Sequence, residues 1–389
     1  MVRPTSTPHP ITTPANKHGV HLLLDDGRNH WPEERWAEHL SYARSAVGEW
    51  GFVTQLVRGD DLDPARWQHL LDLCAELHLT PILRLATTYD RDNQWWRAPH
   101  PGPGDGYGDL AGQYAEFVTA LTWPTSEHYI VVGNEPNHGN EWSGQPDPAA
   151  YARYLTGVAD ALHAADPGAR ILNAGFDPYT PHTGGQRLIE GMAYWDEESF
   201  LDAMVAAHPD VFSHIDAWAS HVYPLGPFSA GPWEQIYQAD YVYGTPPPDR
   251  QPPPAGVVNR GINGYTWELW KLSTYGIADL PVFITETGWR HAETTNAEAT
   301  DGGISLPDAI TVARYFELAW YGNAGRAPEW PDTGWQPWQS DARVVAVTPF
   351  AFNGVPAEWG HTNWLILNDN GNVSGIYFTP PANPASSSK

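Results

Sequence analysis

The chain contains one cysteine in 389 residues, Cys74. With a single thiol, neither an intrachain disulfide framework nor a cysteine-based metal centre can be built. Cys74 sits in an apolar pattern with Leu70, Leu71, Leu73 and Leu77, where a thiol behaves as a small buried hydrophobe. Basic residues are also scarce: 21 Lys and Arg stand against 46 Asp and Glu, a formal net charge of −25. Nucleic acids and anionic membranes call for a basic surface, so this balance argues against both as partners. No apolar stretch reaches the length of a membrane span. Residues 1–17 are rich in Pro and Thr and carry no hydrophobic signal region, which reads as a linker or tail. Residues 381–389 read as a flexible C-terminal tail, leaving 18–380 as a single domain. The compartment stays open between secreted and cytoplasmic, and a monomer is the expectation.

Aromatic residues, by contrast, are abundant: 20 Trp and 18 Tyr against 3 Met. Part of that excess belongs in a core, and the rest suits a surface on which sugar rings stack, because pyranose C–H faces pack on flat apolar rings. A neutral carbohydrate is compatible with the acidic surface as well.

Strand-like and helix-like segments alternate along the sequence. Strands are expected at His18–Asp25, Trp50–Val57, Pro81–Ala86, His128–Gly133, Ala169–Ala174, Ile215–His221, Val282–Thr285 and Arg343–Phe350. Amphipathic helices are expected at Glu33–Val47, Pro64–Leu77, Asp109–Leu121, Pro148–Ala165, Ser199–Ala206, Gly264–Tyr275 and Leu306–Tyr321. Eight strands apolar on both faces, joined by seven helices, predict an α/β fold, a closed parallel (β/α)8 TIM barrel with long aromatic-rich βα loops. The alternative, a doubly wound open sheet, normally has fewer strands, and His18-Gly19-Val20-His21 is not a phosphate-binding fingerprint. Three long loops follow strands: Thr87–Gly108 with Trp95 and Trp96, Pro224–Asn263 with Phe228, Trp233, Tyr237, Tyr241 and Tyr243, and the segment after the last strand with Trp359 and Trp364. In a TIM barrel all of these lie on the face that carries the chemistry. A segment around Asn370-Gly371 reads as a hairpin.

Two glutamates end apolar runs: Glu135 in Ile130-Val131-Val132-Gly133-Asn134-Glu135-Pro136, and Glu286 in Val282-Phe283-Ile284-Thr285-Glu286-Thr287-Gly288-Trp289. A carboxylate at the end of a buried strand is costly unless it has partners or a task. Two such carboxylates facing one another across a pocket, with separately tuned proton affinities, are what glycoside hydrolysis requires.

The Asn-Glu-Pro and Thr-Glu-Thr-Gly strand ends resemble those of the clan A glycoside hydrolases, retaining (β/α)8-barrel enzymes. By order, Glu135 ends the fourth strand and Glu286 the seventh, where that clan carries its acid/base and its nucleophile. The resemblance spans roughly His18 to Phe352. It implies that Tyr223, in Ser220-His221-Val222-Tyr223, hydrogen-bonds the nucleophile, and that His221 lies beside it as a sugar contact or brace. It further implies that Arg84 faces the nucleophile and that Asn134 meets the sugar's 2-hydroxyl. Trp95, Trp96, Trp289 and Trp359 complete the expected substrate contacts. Many clan members place a Trp at the end of strand eight. Here that strand ends Phe350-Ala351-Phe352, so either Trp359 returns to the site or a Phe substitutes. Glu141, Asp25 and Asp26 are competing carboxylates that could bind sugar hydroxyls.

The expected activity is retaining hydrolysis of a β-linked glycoside, endo-acting on a plant or microbial β-glycan, with neither metal nor organic cofactor. An exo-β-glycosidase acting on terminal sugars is one alternative, and a non-catalytic carbohydrate-binding barrel is another.

Overall fold

The computed structural model describes residues 9–377 apart from 13, 29, 103, 105, 182–184, 190, 240–249, 278–279, 293–299 and 302. Tyr241, Tyr243 and the expected tail 381–389 lie outside the described residues. All eight expected strands form: β1 (Gly19–Leu22), β2 (Gly51–Arg58), β3 (Leu79–Ala86), β4 (His128–Val132), β5 (Ala169–Asn173), β6 (Trp218–His221), β7 (Val282–Glu286) and β8 (Val344–Val347). So do the seven helices: α1 (Trp36–Val47), α2 (Pro64–Leu77), α3 (Gly108–Ala120), α4 (Pro148–Ala165), α5 (Glu197–Ala207), α6 (Tyr265–Thr274) and α7 (Ala309–Tyr321). Boundaries differ by a few residues, most at the first and last strands, which are shorter than their apolar runs. The start of the first expected helix, Glu33–Arg35, is a 3-10 turn that leads into α1.

Local chemistry sets the helix starts. Asp63 and Asp147 each accept a backbone N–H of the first turn, from Ala65 and Ala150, and Pro64 and Pro148 follow them as the first helical residues. His78 closes α2 in the left-handed conformation at φ 52°.

Strands β1 to β5 form one parallel sheet and β6 to β8 another. Two seams close them into a barrel. At the first, His18 bridges Val347 in parallel and His21 N–H donates to Pro349 O at 2.9 Å. At the second, Leu172 bridges Ala217, and the Asn173 carboxamide replaces ladder bonds by donating to Ala219 O at 3.0 Å and accepting Ala219 N–H at 2.9 Å. The fold is thus the predicted (β/α)8 barrel.

Its interior is filled by Phe52, Ile82, Tyr129, Val131, Leu172 and Phe283, with the Tyr129 and Phe283 rings 5.0 Å apart. Truncating a ring in such a layer to alanine costs about 3–5 kcal/mol. A second core lies between strands and helices and buries Trp36, Trp67, Tyr151, Leu155 and Cys74. Burial pushes the Cys74 thiol far above its ordinary range, as expected of an inert core residue. Within the segment read as a tail, residues 9–12 lie across the N-terminal end of the barrel. Ile11 packs on the interior core, His9 N–H donates to Asp216, and Thr12 N–H donates to Glu127 at 3.0 Å. No helix among the described residues is long and apolar enough to cross a membrane.

Candidate active site

The long loops and strand ends meet over the C-terminal mouth of the barrel, around a cavity of about 370 Å³. Glu135 and Glu286 face one another in it. One oxygen of each, together with a ring nitrogen of His221, lie within 4.8 Å of one another.

Strand register explains the placement of His221, which pairs with Glu286 across β6 and β7 after a bulge at Ser220/His221. A bulge re-aims the side chain that follows it. The imidazole then stands between the two carboxylates, with Nδ1 2.8 Å from Glu135 Oε1 and 3.8 Å from Glu286 Oε2. Gly175 makes room for it, since a Cβ there would come within 2.1 Å of the ring. Glu135 itself has a left-handed backbone, φ 32°, held by its N–H on Gly175 O at 3.0 Å and by its carbonyl accepting His138 N–H at 2.8 Å. Such conformations cost on the order of 1–3 kcal/mol and concentrate at functional sites.

Glu286 is more deeply set, with 9% of its side chain exposed against 19% for Glu135. Arg84 Nη1 donates to Glu286 Oε1, and the Tyr223 hydroxyl donates to Oε2 at 2.9 Å. Burial alone would raise this carboxyl, but His221 and Arg84, with the Tyr223 hydroxyl, outweigh it and hold it at about 2. Burial likewise disfavours the His221 cation, yet the Glu286 and Glu135 charges prevail and raise its pKa. His21, beneath Glu286, is driven down to about 3 by burial and by Arg84, and is neutral.

Two further carboxyls share the cavity. Burial, with the Glu135 charge, lifts Glu141 to about 8 and Asp177 to about 6. Asp177 follows β5, a loop absent from the long loops expected in the sequence. Part of that loop is a hairpin of Gln186–Ile189 and Met192–Trp195, and Tyr194 meets His138 edge-on at 4.6 Å. His138 and Phe228 also line the cavity. Phe228 stacks on Tyr223 at 4.5 Å with its own φ at 57°.

The other expected residues divide. Asn134, Arg84, Tyr223, Trp96 and Trp359 line the cavity, as do Asp26 and Phe350. Trp359 returns to the site edge-on to Phe350 at 4.9 Å, whereas Phe352 is fully buried. Trp95 lies on Gly144 and, unlike its neighbour Trp96, does not line the cavity. Trp289 is 1% exposed, packs edge-on against Phe316 at 4.8 Å, and donates its indole N–H to Ala230 O. Its ring points into the helix layer because it lies beyond the strand end, past Gly288. Asp25 is tied to Arg58 and Arg66 instead of facing the cavity.

The Glu135, His221 and Glu286 atoms are close enough to be metal ligands. A cation there would have to break the His221–Glu135 bond and share Glu286 with the Arg84 guanidinium. The donor set therefore fits a metal poorly.

No family model matches this sequence, and no curated protein matches it. Solved structures do. A family 39 glycoside hydrolase from the gut symbiont Bacteroides cellulosilyticus is similar over 92% of this chain, with 15% identity and a TM-score of 0.50, and the match spans 61% of that longer protein. A β-glycosidase is similar over 96% of this chain and 99% of its own, with 12% identity and a TM-score of 0.51. Fungal β-1,4-galactanases are similar over 92% of this chain and 96% of their own, with 12% identity and a TM-score of 0.50. At these identities the likeness concerns architecture: this chain shares the (β/α)8 barrel of glycoside hydrolases.

Proposed function

We propose that the protein is a retaining glycoside hydrolase of the clan A type, acting on β-linked glycosides, with Glu286 as nucleophile and Glu135 as acid/base. The observation that carries this reading is the approach of the two carboxylates, with oxygens within 4.8 Å of one another. Double displacement uses carboxyl groups about 5–5.5 Å apart, whereas inversion needs about 6.5–9.5 Å to admit a water between them. In the proposed reaction Glu286, kept ionised by Arg84, His221 and Tyr223, attacks the anomeric carbon and forms a glycosyl ester. Glu135 gives its proton to the departing oxygen. The ester removes the negative charge at Glu286, and Glu135 then takes a proton from the incoming water, which releases the sugar with its configuration retained. Asn134, donating from the rim beside Glu135, meets the sugar's 2-hydroxyl, a contact that strengthens toward the transition state.

Endo action on a β-glycan draws support from the aromatic loops, through Trp96 and Trp359. Action on a terminal sugar is favoured by a different observation, the modest size of the cavity. At about 370 Å³ it lies near the lower end of small-molecule sites, which span roughly 300–1,000 Å³. A hydrolysis screen tests both readings, using β-glucan, mannan, galactan and xylan beside 4-nitrophenyl β-glycosides. A ladder of mixed oligosaccharides selects endo action, and release of single sugars selects exo action. No turnover of any of them overturns the hydrolase reading and leaves a carbohydrate-binding barrel.

A further inference from the structure

Two side chains that the proposed reaction leaves unused, His138 and Asp177, line the cavity together with Glu135. His138 follows β4 and Asp177 follows β5, and one buried carboxamide ties their loops together. Asn137 donates through Nδ2 to Asp177 O at 2.9 Å and to Thr180 Oγ1 at 3.2 Å, and its Oδ1 accepts Asp177 N–H at 3.0 Å. The 186–195 hairpin braces the same place: Tyr194 meets the His138 ring edge-on, and Trp195 N–H donates to Asn137 O at 2.8 Å. The two side chains are thus held at a set separation.

Hydrogen bonds also decide which atoms the pair presents. His138 Nδ1 accepts Asn140 N–H at 3.1 Å, so the neutral ring carries its proton on Nε2. Asp177 Oδ1 accepts Tyr179 N–H at 2.8 Å, which leaves Oδ2. Nε2 and Oδ2 lie 4.0 Å apart, and among the described residues neither has a hydrogen-bond partner. That gap is about 1 Å longer than an ordinary N–H···O bond. It suits one atom that accepts from Nε2–H and donates to Oδ2, and a hydroxyl does both.

The position of the pair says which hydroxyl. Glu135 is held by the same two loops: its carbonyl accepts His138 N–H, and its N–H donates to Gly175 O. Arg84 and Tyr223, which hold Glu286, come from other strand ends. His138 and Asp177 therefore stand on the acid/base side, where the departing oxygen and the group attached to it lie.

We propose that His138 and Asp177 bind a hydroxyl of the leaving-group sugar, so that the protein favours a saccharide over an alkyl or aryl leaving group. This rests on the hydrolase reading given above and narrows its substrates to oligosaccharides and glycans. A leaving group without hydroxyls forfeits both bonds, and a site built to pair a hydroxyl discriminates against such an analogue.

The test pairs the β-linked oligosaccharide of the sugar that the screen finds best with its cyclohexyl counterpart, in which a cyclohexyl group replaces the leaving sugar. Both leaving groups need a proton from Glu135 and only one offers hydroxyls, so the ratio of their kcat/KM values isolates the contact. Asp177→Asn keeps an acceptor for Tyr179 N–H and turns the open position into a donor. It should lower that ratio by about ten- to a hundredfold, as expected for a lost hydrogen bond to a charged group. His138→Phe keeps a ring edge-on to Tyr194 and should lower the ratio by about five- to tenfold. Loss of the Asp177 charge beside Glu135 weighs on both substrates alike and cancels. Equal losses on both would mean that the pair acts only through Glu135, and that outcome or an unmoved ratio overturns the proposal. Oligosaccharides with monodeoxy leaving sugars give a readout on the unmodified protein: removal of one particular hydroxyl should cost about ten- to a hundredfold, and in Asp177→Asn the same removal should cost less than about threefold. If no single hydroxyl of the leaving sugar matters, the proposal fails. Absence of turnover of both substrates by the unmodified protein overturns the hydrolase reading instead.

Discussion

The Tyr223 hydroxyl donates to Glu286 Oε2 at 2.9 Å, reaching from just past the end of the strand next to that of Glu286. Phe228, stacked on the Tyr223 ring, fixes its direction. Burial, with Glu286 and Glu135, raises the tyrosine's pKa, so it remains a donor throughout the neutral range. A hydrogen bond to a charged group contributes about 1.5–3 kcal/mol. Tyr223→Phe should therefore lower kcat/KM on aryl glycosides by roughly ten- to a hundredfold. Removing a donor that favours the ionised form raises the carboxyl's pKa, so activity should also be lost at a higher pH on acidification. A pH profile of kcat/KM checks this, and an unmoved acid limb would remove Tyr223 from the support of Glu286.

Glu286→Ala should abolish turnover on every glycoside while the far-ultraviolet circular dichroism stays native. The side chain ends a strand at the cavity and adds little to either core. Added azide should restore part of the activity by attacking from the vacated face, yielding a glycosyl azide of inverted configuration detectable by NMR. Near-normal activity without azide would mean that another group is the nucleophile.

Glu135→Gln should harm glycosides with poor leaving groups far more than activated aryl glycosides. A good leaving group departs without a proton, so only the later attack by water suffers. Kinetics across a series of substituted phenyl glycosides measures this, and equal losses along the series would count against the acid/base assignment.

Behind β6 lies a pair of buried carboxyls, Glu197 and Glu268, with Trp218 donating to Glu268 Oε2 at 2.8 Å. Burial lifts both, and Glu268 stands at about 7. The unfolded chain has an ordinary glutamate value of about 4.3, so between there and about 7 the folded state holds more protons. Stability from this pair is therefore greatest below about 4.3 and declines as pH rises to about 7. Glu268→Gln should flatten that decline in Tm measured from pH 4.5 to 7.5. An identical slope in the variant would show that the pair does not set it.

The fold was legible because the barrel strands are apolar on both faces and each helix has one apolar stripe. Glu135 and Glu286 were legible because a carboxylate that ends such a run stands out against it. The tryptophans were not, since an indole satisfies a core and a sugar equally well: Trp289 and Trp359 differ only in which way a loop turns them. Asp177 and His138 escaped notice because their importance depends on the hairpin at 186–195, whose first strand, Gln186-Arg187-Leu188-Ile189, is too short and mixed to announce itself. The second seam escaped too, for Asn173 closes the barrel with a side chain where pattern reading expects only backbone.

The interior layer of Phe52, Tyr129 and Phe283, with Ile11 packed below, closes the barrel beneath the two glutamates. In the proposed reaction the departing group and the water that completes turnover then both pass through the C-terminal mouth. The first must leave before the second can take its place, so a leaving group that lingers delays the ester's hydrolysis and is well placed to accept the sugar back. Transfer of the sugar to an added alcohol, in competition with water, would follow from that one-way geometry.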